Sequence, residues 1–186
     1  MKRLFDLILA FIALAICCVP MLVIGALVRL SSRGPALYWS DRVGRGNTIF
    51  KMPKFRTMRV DTPPMATHLM AEPQKFLTPV GGFLRKTSLD ELPQLISILR
   101  GDMSFVGPRP ALFNQDDLIS LRTAKGVHRV LPGLTGWAQV NGRDELPIPV
   151  KVDYDEHYLK NQSLMLDSKI LMMTASQVIF GKGVSH

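Results

Sequence analysis

The sequence predicts an α+β, mainly helical fold in which an N-terminal membrane segment precedes a small globular domain. Three observations lead to this prediction. Residues 7–28 carry no charge and are the most apolar part of the 186-residue chain. Several later segments have helical periodicity and are separated by loops rich in Pro and Gly. Residues 38–58 have instead the character of strand or irregular extended chain. We therefore expect a membrane helix over residues 1–30 and a globular domain over residues 31–186.

The charge of the chain points to anionic partners. It has 23 Lys and Arg against 15 Asp and Glu, which gives a net charge of +8 and an isoelectric point near 9.8. A nucleic acid, an anionic membrane surface and a phosphorylated small molecule would all suit this balance. Aromatic residues make up only 8% of the chain and no basic stretch is interleaved with them, so we expect no nucleic-acid partner.

The two cysteines, Cys17 and Cys18, are adjacent and lie inside the apolar segment. They cannot form a disulfide framework, and no spacing of Cys and His resembles a zinc site. A reducing compartment is therefore expected.

The apolar segment is long enough to span a bilayer as a straight helix, which takes about 20 residues. Basic residues flank it on both sides, namely Lys2, Arg3, Arg29 and Arg33. Because cytoplasmic flanks are rich in such residues, both ends look cytoplasmic. Pro20 divides the run into pieces of about 13 and 8 residues, lengths that suit a re-entrant helix returning to the same face. A kinked helix that spans the bilayer fits equally well, since Pro is tolerated there.

Two cations alternate with apolar residues in the extended segment. Lys54 and Arg56 flank Phe55, so an extended backbone would aim both cations to one side. They suit either a phosphate site or a solvated basic face. The following residues, 61–79, hold four of the 13 prolines and are predicted as a loop, with one helical turn near Ala66–Met70.

A carboxylate pair, Asp90 and Glu91, stands at the start of the most clearly bounded helix. That helix is predicted over Leu92–Leu99, opens at a proline and is stopped by Gly101. A helix N-terminus offers free N–H groups and a partial positive charge, which suit carboxylates and bound phosphates. The competing interpretation is structural, because Ser88 with Glu91 matches a capping box.

Further cations lie in rigid surroundings. Arg85 precedes the carboxylate pair, and Arg109 is held between two prolines. Arg143 ends residues 132–143, a segment rich in turn formers that contains a tryptophan and no other charge. A loop of that kind usually lines a site.

Three more helices are predicted, over residues 111–123, 151–160 and 164–180. The last is rich in Met, Leu and Ile. It therefore belongs either to the core or to the membrane surface, as an interfacial amphipathic helix.

The carboxylate pair and the cations together suit phosphoryl transfer. The cations are Lys54, Arg56, Arg85, Arg109 and Arg143. Phosphoryl transfer needs the charge on phosphate oxygens neutralised, usually with Mg²⁺ held on one or two carboxylates. An aspartate can itself be the nucleophile and form an acyl phosphate. The sequence has no P-loop and no kinase motif set, and its membrane segment indicates that one substrate is a lipid phosphate.

Four long motifs occur in order along the chain. They are Lys54-Phe-Arg-Thr-Met58, Phe83-Leu-Arg-Lys-Thr-Ser-Leu-Asp-Glu-Leu-Pro-Gln-Leu95, Arg100-Gly-Asp-Met-Ser-Phe-Val-Gly-Pro-Arg-Pro110 and Pro132-Gly-Leu-Thr-Gly-Trp-Ala-Gln-Val-Asn-Gly-Arg143. Their order and spacing resemble those of the bacterial sugar transferases, in particular the small monotopic phosphoglycosyl transferases of the PglC type. The resemblance covers nearly the whole chain.

The resemblance implies transfer of a phospho-sugar from a UDP-sugar to a polyprenol phosphate, expected to be undecaprenyl phosphate, with Mg²⁺ as cofactor. It implies that Asp90 attacks the phosphorus next to the sugar and forms a covalent intermediate. Asp90 and Glu91 would also hold the Mg²⁺. The phosphates would contact Arg85, Arg109 and Arg143, and Lys54 matches a family lysine in the active site. From its spacing to Lys54, Arg56 is a further candidate phosphate contact.

The resemblance also implies a monotopic protein whose N-terminal helix is re-entrant and broken at Pro20. Residues 31–186 would be a catalytic domain on the cytoplasmic face of the bacterial inner membrane, in contact with the lipid bilayer. A homodimer is a further candidate assembly.

Two departures from the family pattern leave the sugar open. Met52-Pro53 precede the Lys-Phe-Arg motif where the family often has another pair, and residues 61–76 match no family pattern. A competing function is a membrane-anchored, non-catalytic module that binds anionic lipid through its basic face. That module would need no carboxylate pair.

Overall fold

The computed structural model describes residues 1–62, 72–142 and 146–180, without the side chains of Pro73, Ile179 and Phe180. The helices in these ranges are α1 (Lys2–Ser31), α2 (Gly81–Lys86), α3 (Gln94–Arg100), α4 (Asp116–Ala124), α5 (Trp137–Val140), α6 (Ile148–Lys160) and α7 (Leu164–Phe180). The strands are β1 (Leu37–Val43), β2 (Ile49–Phe55), β3 (Ser104–Val106) and β4 (Gly133–Thr135). This architecture confirms the mixed, mainly helical character of the predicted fold class.

The strands form two small sheets. β1 and β2 are antiparallel, with Leu37 opposite Phe55 and Val43 opposite Ile49. The chain reverses between them through a 3₁₀ turn, Arg45–Asn47, whose Asn47 has a φ of 59°. β3 and β4 pair in parallel. The extended segment predicted around Lys54 is therefore the second strand of a hairpin.

The main hydrophobic core joins elements from the whole chain. It includes Ala10 of α1, Ile98 of α3, Tyr158 of α6 and Ile170 of α7. α7 has the bounds predicted for the last helix. One side of it is buried, whereas Met165 and Met172 on other positions are 85% and 68% exposed. One face of α7 therefore contributes to the core, and another face exposes apolar side chains.

Three boundaries differ from the sequence-based expectation. α4 begins at Asp116 rather than at residue 111, because Leu112 forms a bridge with Arg42 and its N–H donates to Gln115 Oε1 at 2.8 Å. α6 begins three residues early, at Ile148. α3 starts at Gln94 and ends before Gly101, whose φ of 95° terminates it as predicted. The helical turn expected near Ala66–Met70 lies outside the described residues.

The N-terminal segment forms one helix, α1, with Pro20 inside it. Among the described residues it is the one helix long and apolar enough to cross a membrane, judged by length and composition. Its buried residues fall near its two ends: Asp6 and Ala10, then Ile24 and Val28. Apolar side chains between them are largely exposed. The re-entrant shape stays a prediction.

The beginning of α1 is bound to the globular domain through polar contacts. Arg3 donates to the carbonyl oxygens of Ile98 and Leu99 at 2.5 and 2.8 Å, where α3 ends. Asp6 is buried, and its Oδ1 accepts hydrogen bonds from Ser104 Oγ at 3.0 Å and from the N–H of Phe105 at 3.2 Å. These bonds satisfy a carboxylate that burial would otherwise penalise.

The end of α1 is bound to the same domain. Ile24 and Val28 pack with Phe55 and Leu84 in a second hydrophobic cluster. Just past the helix, Ser32 accepts two hydrogen bonds from Arg56 Nη2, at 2.9 Å on its carbonyl oxygen and 2.8 Å on its hydroxyl. Both ends of the apolar helix therefore lie against one globular domain.

A buried carboxylate on α7 joins three helices. Asp167 Oδ2 lies 2.7 Å from Lys2 Nζ, and its Oδ1 lies 2.7 Å from the hydroxyl of Tyr158. That hydroxyl is also 3.0 Å from the carbonyl oxygen of Val106. Burial and the neighbouring Asp167 raise the pKa of Tyr158 well above its usual range, so the phenol remains a neutral donor.

We expect Tyr158→Phe to lower the free energy of unfolding by about 1–3 kcal/mol, because it deprives a buried carboxylate of a donor. Tyr154→Phe is the matched control, since no hydrogen bond of the Tyr154 hydroxyl is found in the described part of the chain. Thermal unfolding followed by circular dichroism in detergent measures both. Equal effects of the two substitutions would contradict the role given to the Asp167 contact.

Candidate active site

The carboxylate pair lies in a short 3₁₀ turn, Leu89–Glu91, between α2 and α3. Asp90 is buried, with 7% of its surface exposed. Ser88 precedes the turn with a φ of 56° and makes no side-chain cap hydrogen bond. The capping box considered as the structural alternative is therefore not formed, and the N–H of Glu91 instead donates to the carbonyl oxygen of Ser88 at 3.2 Å.

Lys54 reaches the pair from strand β2. Its Nζ lies 2.7 Å from Glu91 Oε1 and 3.8 Å from Asp90 Oδ2. Arg109 approaches the same oxygen from the Pro-Arg-Pro loop, with Nη2 3.5 Å from Glu91 Oε1. One carboxylate oxygen of Glu91 is thus shared by two cations that are far apart in sequence.

Arg85 completes the group from the last turn of α2. Its Nε donates to the hydroxyl of Thr57 at 2.9 Å. Burial lowers the pKa of the Arg85 guanidinium, and the nearby negative charge of Asp90 acts in the opposite direction. Asp90 is therefore within the electrostatic reach of Arg85 as well as of Lys54.

The loop that carries Arg109 is fixed by its backbone. The N–H of Gly107 donates to the carbonyl oxygen of Thr135, and that of Gly133 to the carbonyl oxygen of Pro108, both at 2.9 Å. A Cβ at Gly133 would lie 2.1 Å from the Gly107 nitrogen, so only glycine allows this close approach.

Two arginines, the buried Arg122 and the half-buried Arg42, donate hydrogen bonds to the same loop. Arg122 Nη1 donates to the carbonyl oxygen of Arg109 at 2.8 Å, and Arg42 Nη1 to that of Pro110 at 3.2 Å. Arg122 is itself held by Asp155, at 2.6 Å from Oδ2. The position of the Arg109 backbone is thus set by hydrogen bonds on both sides of it.

The structure brings together five of the residues proposed from the sequence: Lys54, Arg85, Asp90, Glu91 and Arg109. It does not place Arg56 with them. Arg56 is 5% exposed, and its guanidinium binds the carbonyl oxygens of Ser32 and Arg33 at the end of α1. Its position indicates a structural role. Arg143 lies outside the described residues.

Sequence reasoning did not single out Thr57 or Arg122. Thr57 belongs to the first of the four motifs, so its place two residues past the strand that carries Lys54 was the available signal. Arg122 stands in a helix with several charges and nothing local distinguishes it. Its role depends on Asp155, 33 residues away.

The carboxylate pair fits a magnesium ion that is shared with a phosphate substrate. Mg²⁺ is commonly held by one or two carboxylates and completes its shell with water and substrate phosphates. Asp90 and Glu91 are adjacent and supply those oxygens. No group of three or more His, Cys, Asp or Glu side chains suited to a metal occurs within the described ranges. A dedicated all-protein metal cage is therefore not part of the described structure.

This arrangement is suited to an anionic substrate that reacts at phosphorus. Three cations surround two carboxylates in a partly buried place, where charge interactions are stronger than in water. Cations fixed in position stabilise the charge that develops on phosphate oxygens during transfer. One carboxylate of the pair can act as nucleophile.

Comparison with known proteins agrees with this chemistry. The bacterial sugar transferase family model matches residues 1–181. A protein named "Uncharacterized sugar transferase EpsL" from Bacillus subtilis (strain 168) is 40% identical over 188 residues, which cover 100% of this chain and 91% of that protein.

Two further relatives are longer proteins. The "UDP-glucose:undecaprenyl-phosphate glucose-1-phosphate transferase" of Xanthomonas campestris pv. campestris is 42% identical, over 96% of this chain and 38% of its own length. The "UDP-N-acetylgalactosamine-undecaprenyl-phosphate N-acetylgalactosaminephosphotransferase" of Aeromonas hydrophila is 35% identical, over 98% of this chain and 44% of its own. Because the family model and these relatives cover almost all of it, the chain belongs to the bacterial sugar transferase family.

Proposed function

We propose that this chain transfers a phospho-sugar from a UDP-sugar to a polyprenol phosphate such as undecaprenyl phosphate, giving a polyprenol-diphosphate-sugar and UMP. The observation that carries the proposal is the Asp90–Glu91 pair held among Lys54, Arg85 and Arg109. The names of the longer relatives support the substrates, since they specify a UDP-sugar and undecaprenyl phosphate. They specify different sugars, so the sugar used by this chain is left open.

In the proposed reaction Asp90 is the nucleophile. One of its carboxylate oxygens forms a bond to the phosphorus next to the sugar, and the bond from that phosphorus to the bridging oxygen breaks. UMP leaves with the bridging oxygen and its electron pair. The phospho-sugar is then an acyl phosphate on Asp90. An oxygen of the lipid phosphate attacks the same phosphorus and releases the Asp90 carboxylate.

The cations have separate tasks in this scheme. Lys54 lies near both carboxylates and would neutralise charge at the reacting phosphorus. Arg109 approaches Glu91 from the Pro-Arg-Pro loop and would bind the leaving UMP phosphate. Arg85 interacts electrostatically with Asp90 and would bind a non-bridging oxygen. Each interaction gains strength as negative charge builds up in the transition state.

Asp90 and Glu91 would hold Mg²⁺ when the substrate is present. Bound there, the ion would neutralise charge on the diphosphate oxygens. Glu91 is the better anchor for it, because Asp90 must form a bond to phosphorus. The cofactor and this division of roles are part of the proposal.

We further propose that α1 is re-entrant, with its bend at Pro20, and that the domain lies on the cytoplasmic face of the inner membrane. The support is that Lys2 and Arg3 at one end of α1, and Ser32 at the other, all bind the same globular domain. A helix that crossed the bilayer would place its ends on opposite sides. Only one end could then reach the domain.

We expect Asp90→Asn to lower the rate of UMP release by roughly 10⁴-fold, because an amide cannot serve as the nucleophile. UMP release is measured with undecaprenyl phosphate across a panel of UDP-sugars. Exchange of labelled UMP into the UDP-sugar without lipid acceptor should be lost as well. Asp116→Asn, at an exposed aspartate on α4, is the control and should retain both activities.

Two outcomes would decide against the proposal. Full turnover by Asp90→Asn would remove Asp90 as the nucleophile. A wild-type chain that binds anionic vesicles and releases no UMP from any UDP-sugar of the panel would favour the non-catalytic lipid-binding module.

We expect Lys54→Met to lower kcat by roughly 10²–10³-fold, the usual effect of removing one fixed group that stabilises transition-state charge. Lys51→Met is the control on the same strand, because Lys51 is exposed and pairs with Asp41 at 2.8 Å. Steady-state UMP release gives kcat for both. Similar losses in the two variants would show that Lys54 acts through general charge alone.

The topology of α1 is tested by labelling Lys2→Cys in a variant with Cys17→Ala and Cys18→Ala. An impermeant thiol reagent in intact cells should leave this cysteine unlabelled until lysis. Asp116→Cys, on the globular domain, should behave identically. Labelling of the first cysteine alone in intact cells would establish a spanning helix, and labelling of both would place the domain outside.

A further inference from the structure

Thr57 is a buried residue that connects the end of the β-hairpin to the carboxylate turn. It lies two residues after β2 and is 7% exposed. Its hydroxyl accepts the Nε–H of Arg85 at 2.9 Å. Arg85 in turn lies on the last turn of α2 and interacts electrostatically with Asp90. The hydroxyl of Thr57 is therefore linked to the proposed nucleophile, Asp90, through a single residue, Arg85.

The backbone of Thr57 is held in place independently of that hydroxyl. Its carbonyl oxygen accepts from the N–H of Thr78 at 2.9 Å and from the Thr78 hydroxyl at 3.3 Å. A Cβ at Gly81, the first residue of α2, would lie 2.1 Å from the same carbonyl oxygen. Thr57 and the start of α2 are thus in direct contact, and Thr57 offers a fixed point for α2.

A fixed acceptor at Nε has a specific effect on an arginine. The guanidinium is planar and its five N–H donors have a set geometry, so a bond at Nε fixes the plane and the direction of the two terminal nitrogens. An arginine without such a bond loses side-chain entropy whenever it binds an anion. Because its Nε is already bound, Arg85 has lost part of this side-chain entropy before any substrate binds.

We propose that Thr57 is a positioning residue, which holds the Arg85 guanidinium in the orientation that faces Asp90 and a phosphate oxygen of the sugar donor. This inference rests on the proposed function and adds a residue to it. Thr57 itself touches neither the substrate nor the reacting atoms. We expect Thr57 to affect kcat, because the interaction of Arg85 with the phosphate oxygen is strongest in the transition state, where negative charge develops.

The test uses three single variants. Thr57→Val replaces the hydroxyl by a methyl group of similar size, Thr57→Ser keeps the hydroxyl, and Thr78→Val removes another buried hydroxyl that contacts Thr57 without reaching Arg85. Thr57→Val should lower kcat for UMP release about tenfold and leave KM for the UDP-sugar nearly unchanged. Thr57→Ser should recover most of the rate. Thr78→Val should affect stability more than kcat.

A double-mutant cycle identifies the route of the effect. In an Arg85→Ala background, Thr57→Val should cause no further loss of kcat, since its action passes through Arg85. The same tenfold loss in both backgrounds would overturn the proposal. So would an equal fall of kcat in Thr78→Val, because it would make the effect one of general packing.

A second readout separates this inference from the proposed function. If the wild type releases no UMP with any UDP-sugar, the proposed function fails. The link between Thr57 and Arg85 is then tested by the thermal unfolding of the wild type, the two single variants and the double variant. Non-additive shifts of the midpoint would support the link, and additive shifts would overturn it.

Discussion

Two arginines bind the apolar helix α1 to the segments that carry the candidate active site, and the rest of the structure depends on these contacts. Arg3, at the start of α1, binds the last carbonyl oxygens of α3, the helix that follows the carboxylate pair. Arg56, which lies between Lys54 and Thr57, binds the carbonyl oxygens just after α1 ends. In the first contact the donor belongs to α1 and the acceptors to the domain, and in the second the donor belongs to the domain. The position of the site is thereby linked to both ends of α1.

The middle of α1 has little packing on the domain, so its polar contacts add to the apolar ones at its two ends. The apolar residues between Ala10 and Ile24 are exposed or only partly covered by the domain. Hydrogen bonds to charged groups contribute about 1.5–3 kcal/mol each when well made, and a buried charge without partners is costly. Asp6 and Asp167 are both fully buried, and each has partners from another element. Charged contacts therefore fix the ends of α1, whereas the apolar side chains of its middle are largely exposed.

Local pattern predicted the helices well and the site only in part. α7 and the end of α3 follow from apolar periodicity and from Gly101, because these signals act within a few residues. The predicted start of α4 was wrong. A bridge from Leu112 to Arg42, 70 positions earlier in the chain, keeps the residues before Asp116 out of the helix. The position of Arg56 was not predicted either, because it also depends on contacts that are distant in sequence. Its spacing from Lys54 suggested a shared site, whereas its contacts are with the end of α1, which no local pattern encodes.

The two carboxylates of the site are adjacent in sequence but are not equivalent in space, and this difference supports the division of roles. Lys54 Nζ is 2.7 Å from Glu91 and 3.8 Å from Asp90, and Arg109 also approaches Glu91. The Glu91 oxygen that Lys54 approaches at 2.7 Å is a poor nucleophile, because its electron pairs are already engaged. A diphosphate entering the site would compete with Glu91 for the same cations. In the proposed mechanism Glu91 would hold Mg²⁺, and Asp90, which interacts electrostatically with Arg85, would be the carboxylate that attacks phosphorus. The carboxylates would thus neutralise the cations before a substrate binds, and the proposed diphosphate would replace Glu91 as their partner.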